Sequence, residues 1–214
     1  MSDQEEDESI LAHPDVQEGF DTVFSTLIAE SHRGAALIGA EIVSQHLTDL
    51  FRERASSDAS NNTLDRLLEY PGALSSFSAK ADVALAFGFL STNTHESINV
   101  LRRIRNDAAH SKGNFALSNH RDRLSEVLQL GPGMKEFITE MAARVISTDT
   151  VEKAWEANQD FDQPLYDSKE ELVENLRENS DVMERLNQKL PKTQLGIAVA
   201  MICGEIVHSR ETAR

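Results

Sequence analysis

The chain has 214 residues, of which 40% are hydrophobic and 27% are charged, a balance typical of a soluble globular protein rather than a disordered one. Its 36 acidic and 21 basic residues give a formal net charge of -15, which repels nucleic acid at long range and argues against an extended, nonspecific DNA-binding surface. The longest apolar run, residues 195–203, is far shorter than the roughly 20 residues that span a bilayer, so we expect no membrane segment.

The sequence favours a reducing, cytoplasmic location. No basic region precedes an apolar segment near the N-terminus, so no secretory signal is visible. The single cysteine, Cys203, has no partner for an internal disulfide and lies within the apolar run. We expect Cys203 to be a small buried hydrophobic side chain rather than a catalytic thiol.

Apolar residues recur at helical spacing along most of the chain, and no stretch alternates with period two for long enough to predict a strand. The predicted fold class is therefore all-α. We expect a disordered acidic tail at residues 1–12, a helical bundle at residues 13–147 and an acidic C-terminal helical extension at residues 148–214. The predicted helices cover residues 14–28, 35–51, 64–70, 77–90, 93–110, 119–130, 134–146, 150–158, 168–178, 181–190 and 193–208. Thr63, Asn93 and Ser168 are the predicted N-caps of three of them.

The clearest chemical motif is RNDAAH, which ends the predicted helix 93–110 and contains Arg105, Asn106 and His110. A guanidinium binds phosphate at any pH, and an imidazole exchanges a proton near neutral pH. These are the groups that a metal-independent ribonuclease needs, with the second copy of a dimer completing the site. Three neighbouring basic residues are candidate phosphate ligands: Arg102, Arg103 and Lys112.

A structural interpretation of the same motif stays open. At 3.6 residues per turn, Arg105 falls on the helical stripe of Ile98, Leu101 and Ala108 and is predicted to point inward. A buried arginine needs a partner, because an isolated buried charge is costly. The candidate partner is a carboxylate, Glu41 first and Glu30 second. In that case His110 and Asn106 would bond to backbone groups near the helix end.

We expect neither a metal nor a cofactor. The histidines show no His-x3-His spacing, and a single cysteine excludes Cys-x2-Cys pairs. The segment GAALIG, residues 34–39, has the glycine spacing of a phosphate-binding loop but lacks the lysine and the serine or threonine that must follow.

Three segments, in this order, resemble the mannitol operon repressor family of bacterial regulators: SHRGAALIGAEIVSQHLTDLF, GALSSFSAKADVALAFGFL and INVLRRIRNDAAHS. The resemblance covers roughly residues 30–130 and implies an all-helical fold and a role in transcriptional control. That family lacks a recognisable DNA-binding motif, so the resemblance also implies action through a protein partner.

RNDAAH is in addition similar to the Arg-x4-His signature of the HEPN superfamily, in which Asn follows Arg. Members of this superfamily are helical bundles, often homodimers, and include metal-independent endoribonucleases and noncatalytic RNA binders. The similarity implies Arg105, Asn106 and His110 as catalytic residues and RNA as a partner at one local basic site.

Overall fold

The computed structural model describes the backbone of residues 14–211 and the side chains of residues 21–209, so the predicted acidic tail lies outside the described residues. Helices make up 77% of the structure and no strand occurs in the described range, which confirms the predicted all-α helical bundle. A short 3-10 helix covers Leu117–His120. The α-helices are α1 Pro14–Ala29, α2 His32–Arg54, α3 Asn61–Leu68, α4 Phe77–Ala86, α5 Thr92–His110, α6 Arg121–Val127, α7 Met134–Gln159, α8 Lys169–Glu178 and α9 Ser180–Glu211.

Serine side chains start five of these helices by accepting a hydrogen bond from a backbone amide of the first turn. The predicted caps Thr63 and Asn93 are wrong, because serines earlier in the chain take these positions. The predicted cap at Ser168 is confirmed: its Oγ accepts from the amide of Glu171 at 3.2 Å. The serine caps are Ser31, Ser60, Ser76, Ser91 and Ser168.

The centre of the bundle is built from α2, α5 and the second half of α9, with α1 packed against α9. Their facing side chains form one hydrophobic cluster, and Cys203 belongs to it as a buried residue, as predicted. Side chains with no exposed surface in this cluster include Leu27, Leu47, Leu101, Ile104, Ile197 and Ile202.

The C-terminal helices do not begin where the sequence predicts. The boundary at residue 147 falls inside α7, which runs without interruption from Met134 to Gln159. Pro191 likewise lies inside α9 instead of separating two helices. A proline in a helix interior removes one backbone hydrogen bond, but the half of α9 that follows it buries its apolar face in the common core.

Length and composition make α9 the one described helix that is apolar enough to cross a bilayer, with a mean hydropathy of 1.3 over its most apolar window. However, 67% of that window is buried inside the protein. A core helix that packs against α1 and α2 has the same composition, and the packing assigns α9 to that class.

Replacing Ile202 with alanine is expected to lower the free energy of unfolding by about 2–5 kcal/mol, because it leaves a cavity at a fully buried position. Met183→Ala, at a position of the same helix that is 41% exposed, should change this free energy by less than about 0.5 kcal/mol. Urea denaturation followed by circular dichroism measures both. A separate, early melting of α9 with an unchanged main transition would contradict a shared core.

Candidate functional site

Helix α5 has one apolar and one polar face. Ser91 caps its first turn, and five apolar residues along its length are buried against α2, α4 and α6. The opposite face carries polar side chains that recur every three or four residues over about 22 Å of helix. We call these residues the polar stripe: His95, Asn99, Arg102, Arg103, Asn106 and His110.

The structure does not bury Arg105, so the predicted inward orientation is wrong. Its side chain is exposed, and its Nη1 donates to Oδ1 of the next residue, Asn106, at 3.2 Å. Helix α4 does not extend to this part of α5. Helix α4 has 10 residues against 19 in α5, and the contact between Asp82 and His95 sets it against the start of α5. At about 1.5 Å per residue, α4 ends near the middle of α5, and Arg105 lies beyond it.

The two carboxylates predicted to pair with Arg105 lie in other environments. Glu41 is exposed, and the charge of its carboxylate raises the pKa of Lys80. Glu30 folds over Gly34 at the start of α2, where the helix dipole favours negative charge. Among the ion pairs of residues 21–209, neither carboxylate is joined to Arg105.

The remaining predicted site residues share the same end of α5. His110 and Lys112 are exposed, Asn106 and Arg102 are half-buried, and Arg103 is exposed. Nε of Arg103 donates to the carbonyl of Asn99 at 3.4 Å. Nε of Arg102 is buried and has no hydrogen-bond partner among the described residues, which is uncommon for a buried donor. Within the range 21–209, none of these cationic side chains forms an ion pair with a carboxylate, so this end of α5 presents free cationic and amide groups.

Asp107, inside the motif, has a structural role that the sequence did not reveal. Its Oδ2 accepts from Nη1 of Arg123 on α6 and lies 3.6 Å from Nδ1 of His120. This ion pair holds α6 against α5 and neutralises the charge of Arg123. The helical spacing places Asp107 off the polar stripe, which is the signal that would have separated it from its neighbours.

A second histidine of the stripe was also missed. Nε2 of His95 lies 2.8 Å from Oδ1 of Asp82 and 3.1 Å from Nδ2 of Asn99. A carboxylate only accepts and an amide nitrogen only donates, so Nε2 of His95 donates to Asp82 when it carries the proton and accepts from Asn99 when it does not. The histidine side chain is 16% exposed, so this pair lies at the edge of the core, at the opposite end of the stripe from His110.

The segment that follows His110 is held by the corner between α1 and α2. Nη2 of Arg33 donates to the carbonyls of Ser111 and Gly113. The amide of Leu117 donates to Nδ1 of His32 at 3.0 Å. Burial, with a smaller contribution from the ammonium of Lys192, lowers the pKa of His32 below its ordinary value of 6.5. The exit from α5 is thus fixed by residues about 80 positions earlier.

Lys80 is another group whose pKa is shifted. It is only 7% exposed, and its Nζ donates to Oγ1 of Thr48 at 2.6 Å and to Oγ of Ser44 at 3.3 Å. Burial lowers the pKa of Lys80, and the carboxylates of Glu41 and Asp49 partly oppose this. The ammonium joins α4 to α2 through two hydroxyl groups, which is a structural role.

In the part of the chain that the structure describes, no group of three or more His, Cys, Asp or Glu side chains is arranged to hold a metal ion. The chain matches no protein-family model, no curated protein and no solved structure in the three comparisons. The function is therefore inferred from the side chains at the surface of α5.

The free energy of unfolding should decrease as the pH falls below 6.5, and His32 should account for part of the decrease. The unfolded chain takes up a proton near pH 6.5, whereas the folded protein resists it because the pKa of His32 is lowered. Protonation of Nδ1 would also remove the acceptor of the Leu117 amide.

The measurement is urea denaturation between about pH 7.5 and pH 5. His32→Asn should flatten the pH dependence, while Met183→Ala, which changes no ionisable group, should keep the wild-type slope. Identical slopes for wild type and His32→Asn would show that His32 is not a source of the acid sensitivity.

Proposed function

We propose that the C-terminal end of α5 binds single-stranded RNA and cleaves it without a metal ion, as a cytoplasmic homodimer. The observation that carries the proposal is the exposure of Arg105 and His110, with Asn106 bonded to the arginine. A buried arginine paired with Glu41 or Glu30 would have favoured a core network instead. Arg102, whose side chain is half-buried, brings a further guanidinium to the same end of α5.

The chemistry is a transesterification within the RNA strand. The 2′-hydroxyl attacks the adjacent phosphorus, the bond to the 5′-oxygen of the next nucleotide breaks, and a 2′,3′-cyclic phosphate forms. His110 accepts the proton of the 2′-hydroxyl, and His110 of a second copy donates a proton to the leaving oxygen. Arg105 stabilises the charge that develops on the phosphate, and Asn106 orients the guanidinium. Arg102, Arg103 and Lys112 bind neighbouring phosphates.

The acidic charge restricts the substrate. A net charge of -15 repels a long duplex, whereas a single strand can approach one local basic surface. A single strand is also flexible enough to place its 2′-hydroxyl in position to attack the adjacent phosphorus. The proposed site is therefore small, and its affinity should fall steeply as salt increases.

The test is incubation of the purified chain with a labelled single-stranded RNA in EDTA. Wild type should release products that end in a 2′,3′-cyclic phosphate. Arg105→Ala and His110→Ala should each reduce the cleavage rate by at least about 100-fold, because each removes a group needed in the transition state. Both positions are exposed, so circular dichroism and the unfolding midpoint should stay unchanged.

Arg144→Ala is the matched control, because Arg144 is 78% exposed on α7, outside the site, and should keep wild-type activity. Intact RNA in the presence of folded wild-type protein would overturn the proposed cleavage. Equal cleavage by wild type and both site variants would assign the activity to a contaminant and overturn it as well.

A second candidate is a transcriptional regulator resembling the mannitol operon repressor, which acts through a protein partner. The exposed apolar side chains Tyr70, Phe87 and Leu165, at 92%, 71% and 70% exposure, favour protein contacts in a chain of this charge. Salt-sensitive binding of the purified chain to one promoter at nanomolar concentration would contradict action through protein contacts.

A further inference from the structure

We propose that a cavity between α6, the first turns of α7 and the middle of α9 binds a small organic anion. The cavity has a volume of about 410 Å³, within the range of small-molecule sites. It is separate from the polar stripe: Arg123 of α6 turns toward α5, whereas Arg121 and Ser125 of the same helix line the cavity. The proposal does not depend on RNA cleavage.

The charge of the cavity is opposite to that of the chain. Arg121 and Lys135 stand at its exposed rim, and none of the described residues that line it is an aspartate or a glutamate. Neither cation forms an ion pair with another residue in the range 21–209. In a protein with a net charge of -15, two unpaired cations facing one cavity favour a negatively charged occupant.

The floor of the cavity is apolar. Leu124, Leu128 and Pro191 are buried and line it, and the half-buried Leu190 joins them. An occupant that covers this floor gains from the removal of apolar surface from water, which a bare inorganic ion cannot do. The cavity therefore fits a molecule with an apolar body and one anionic group, such as a phosphate or a carboxylate.

Hydrogen bonds within the protein hold two polar side chains of the cavity walls in place. Nε2 of Gln194 donates to Oγ1 of Thr139 at 3.0 Å, and that hydroxyl donates to the carbonyl of Lys135 at 2.8 Å. The first bond joins α9 to α7, and the second fixes the Thr139 hydroxyl within α7. The hydroxyl of Ser125 lines the cavity with no bonding partner among the described residues, so it is a third donor for the anion.

Pro191 removes one backbone hydrogen bond from the part of α9 that lines the cavity. A proline has no N–H to donate to the carbonyl four residues earlier, which is that of Asn187. Both residues line the cavity. The turn of α9 beside the cavity therefore lacks the backbone hydrogen bond from residue 191 to the carbonyl of Asn187.

The probe is phenyl phosphate. Phenol, which lacks the anionic group, and inorganic phosphate, which lacks the apolar ring, are the controls. Titration of the full chain, followed by amide NMR shifts, should perturb α6, the start of α7 and residues 187–194. Phenyl phosphate should bind at least about ten-fold more tightly than either counterpart, because it uses both the cations and the floor.

Arg121→Ala and Lys135→Ala should each weaken phenyl phosphate binding at least about ten-fold, because each removes a charge-assisted hydrogen bond. Arg144→Ala, which removes another exposed arginine, this one on α7, should bind like wild type. Both rim residues are exposed, and retained amide dispersion confirms that each variant is folded.

Three outcomes would overturn the proposal. The first is the absence of saturable shifts up to about 10 mM phenyl phosphate. The second is equal affinity in wild type, Arg121→Ala and Lys135→Ala. The third is a set of shifts confined to the polar stripe of α5, which would support the RNA site while removing the cavity as an anion site.

Discussion

The fold depends on the burial of the second half of α9. Ile197, Ile202 and Ile206 have no exposed surface, and they pack in the same cluster as residues of α1, α2 and α5. Without α9, the apolar faces of α1 and α2 would meet water, at a cost of about 25 cal/mol for each Å² exposed. Pro191 is tolerated inside the helix because this burial outweighs one lost backbone bond. Lys192, directly after it, donates to the carbonyls of Ile28 and Glu30 and closes the end of α1 against α9.

The candidate site follows from the unequal coverage of α5. One face of this helix belongs to the core along its length, whereas α4 protects its other side only at the start. The end of α5 is consequently rigid on one side and open on the other, which suits a surface that must hold charged groups in fixed positions for a ligand. Asp107 contributes to this rigidity through Arg123, so a single turn of helix contains both an anchoring carboxylate and the groups left free for phosphate.

The sequence was sufficient for the features that depend on local pattern. Helical spacing predicted an all-α fold, and the apolar environment of Cys203 predicted its burial. Predictions from the sequence were wrong where burial or helix continuity depends on neighbouring elements of the fold. Arg105 lies on the apolar stripe by spacing, but whether that position is buried depends on which neighbouring elements cover that part of α5. The helix break at Pro191 was predicted from local chemistry, and core burial overrode it. The partners of Asp107 and His32 lie 16 and 85 residues away, which no local pattern specifies.

The bonds from Arg33 and His32 to residues 111–117 have a consequence for the motion of the segment after the motif. Three hydrogen bonds with sequence separations of 78, 80 and 85 residues tie it to the corner between α1 and α2. A loop attached in this way opens only when the corner opens, so the two should exchange their amide hydrogens as one cooperative unit. During folding, the last turn of α5 then acquires its final surroundings only after a distant part of the chain has docked. The first turn of α2, through His32 and Arg33, therefore restricts the motion of the segment that follows His110.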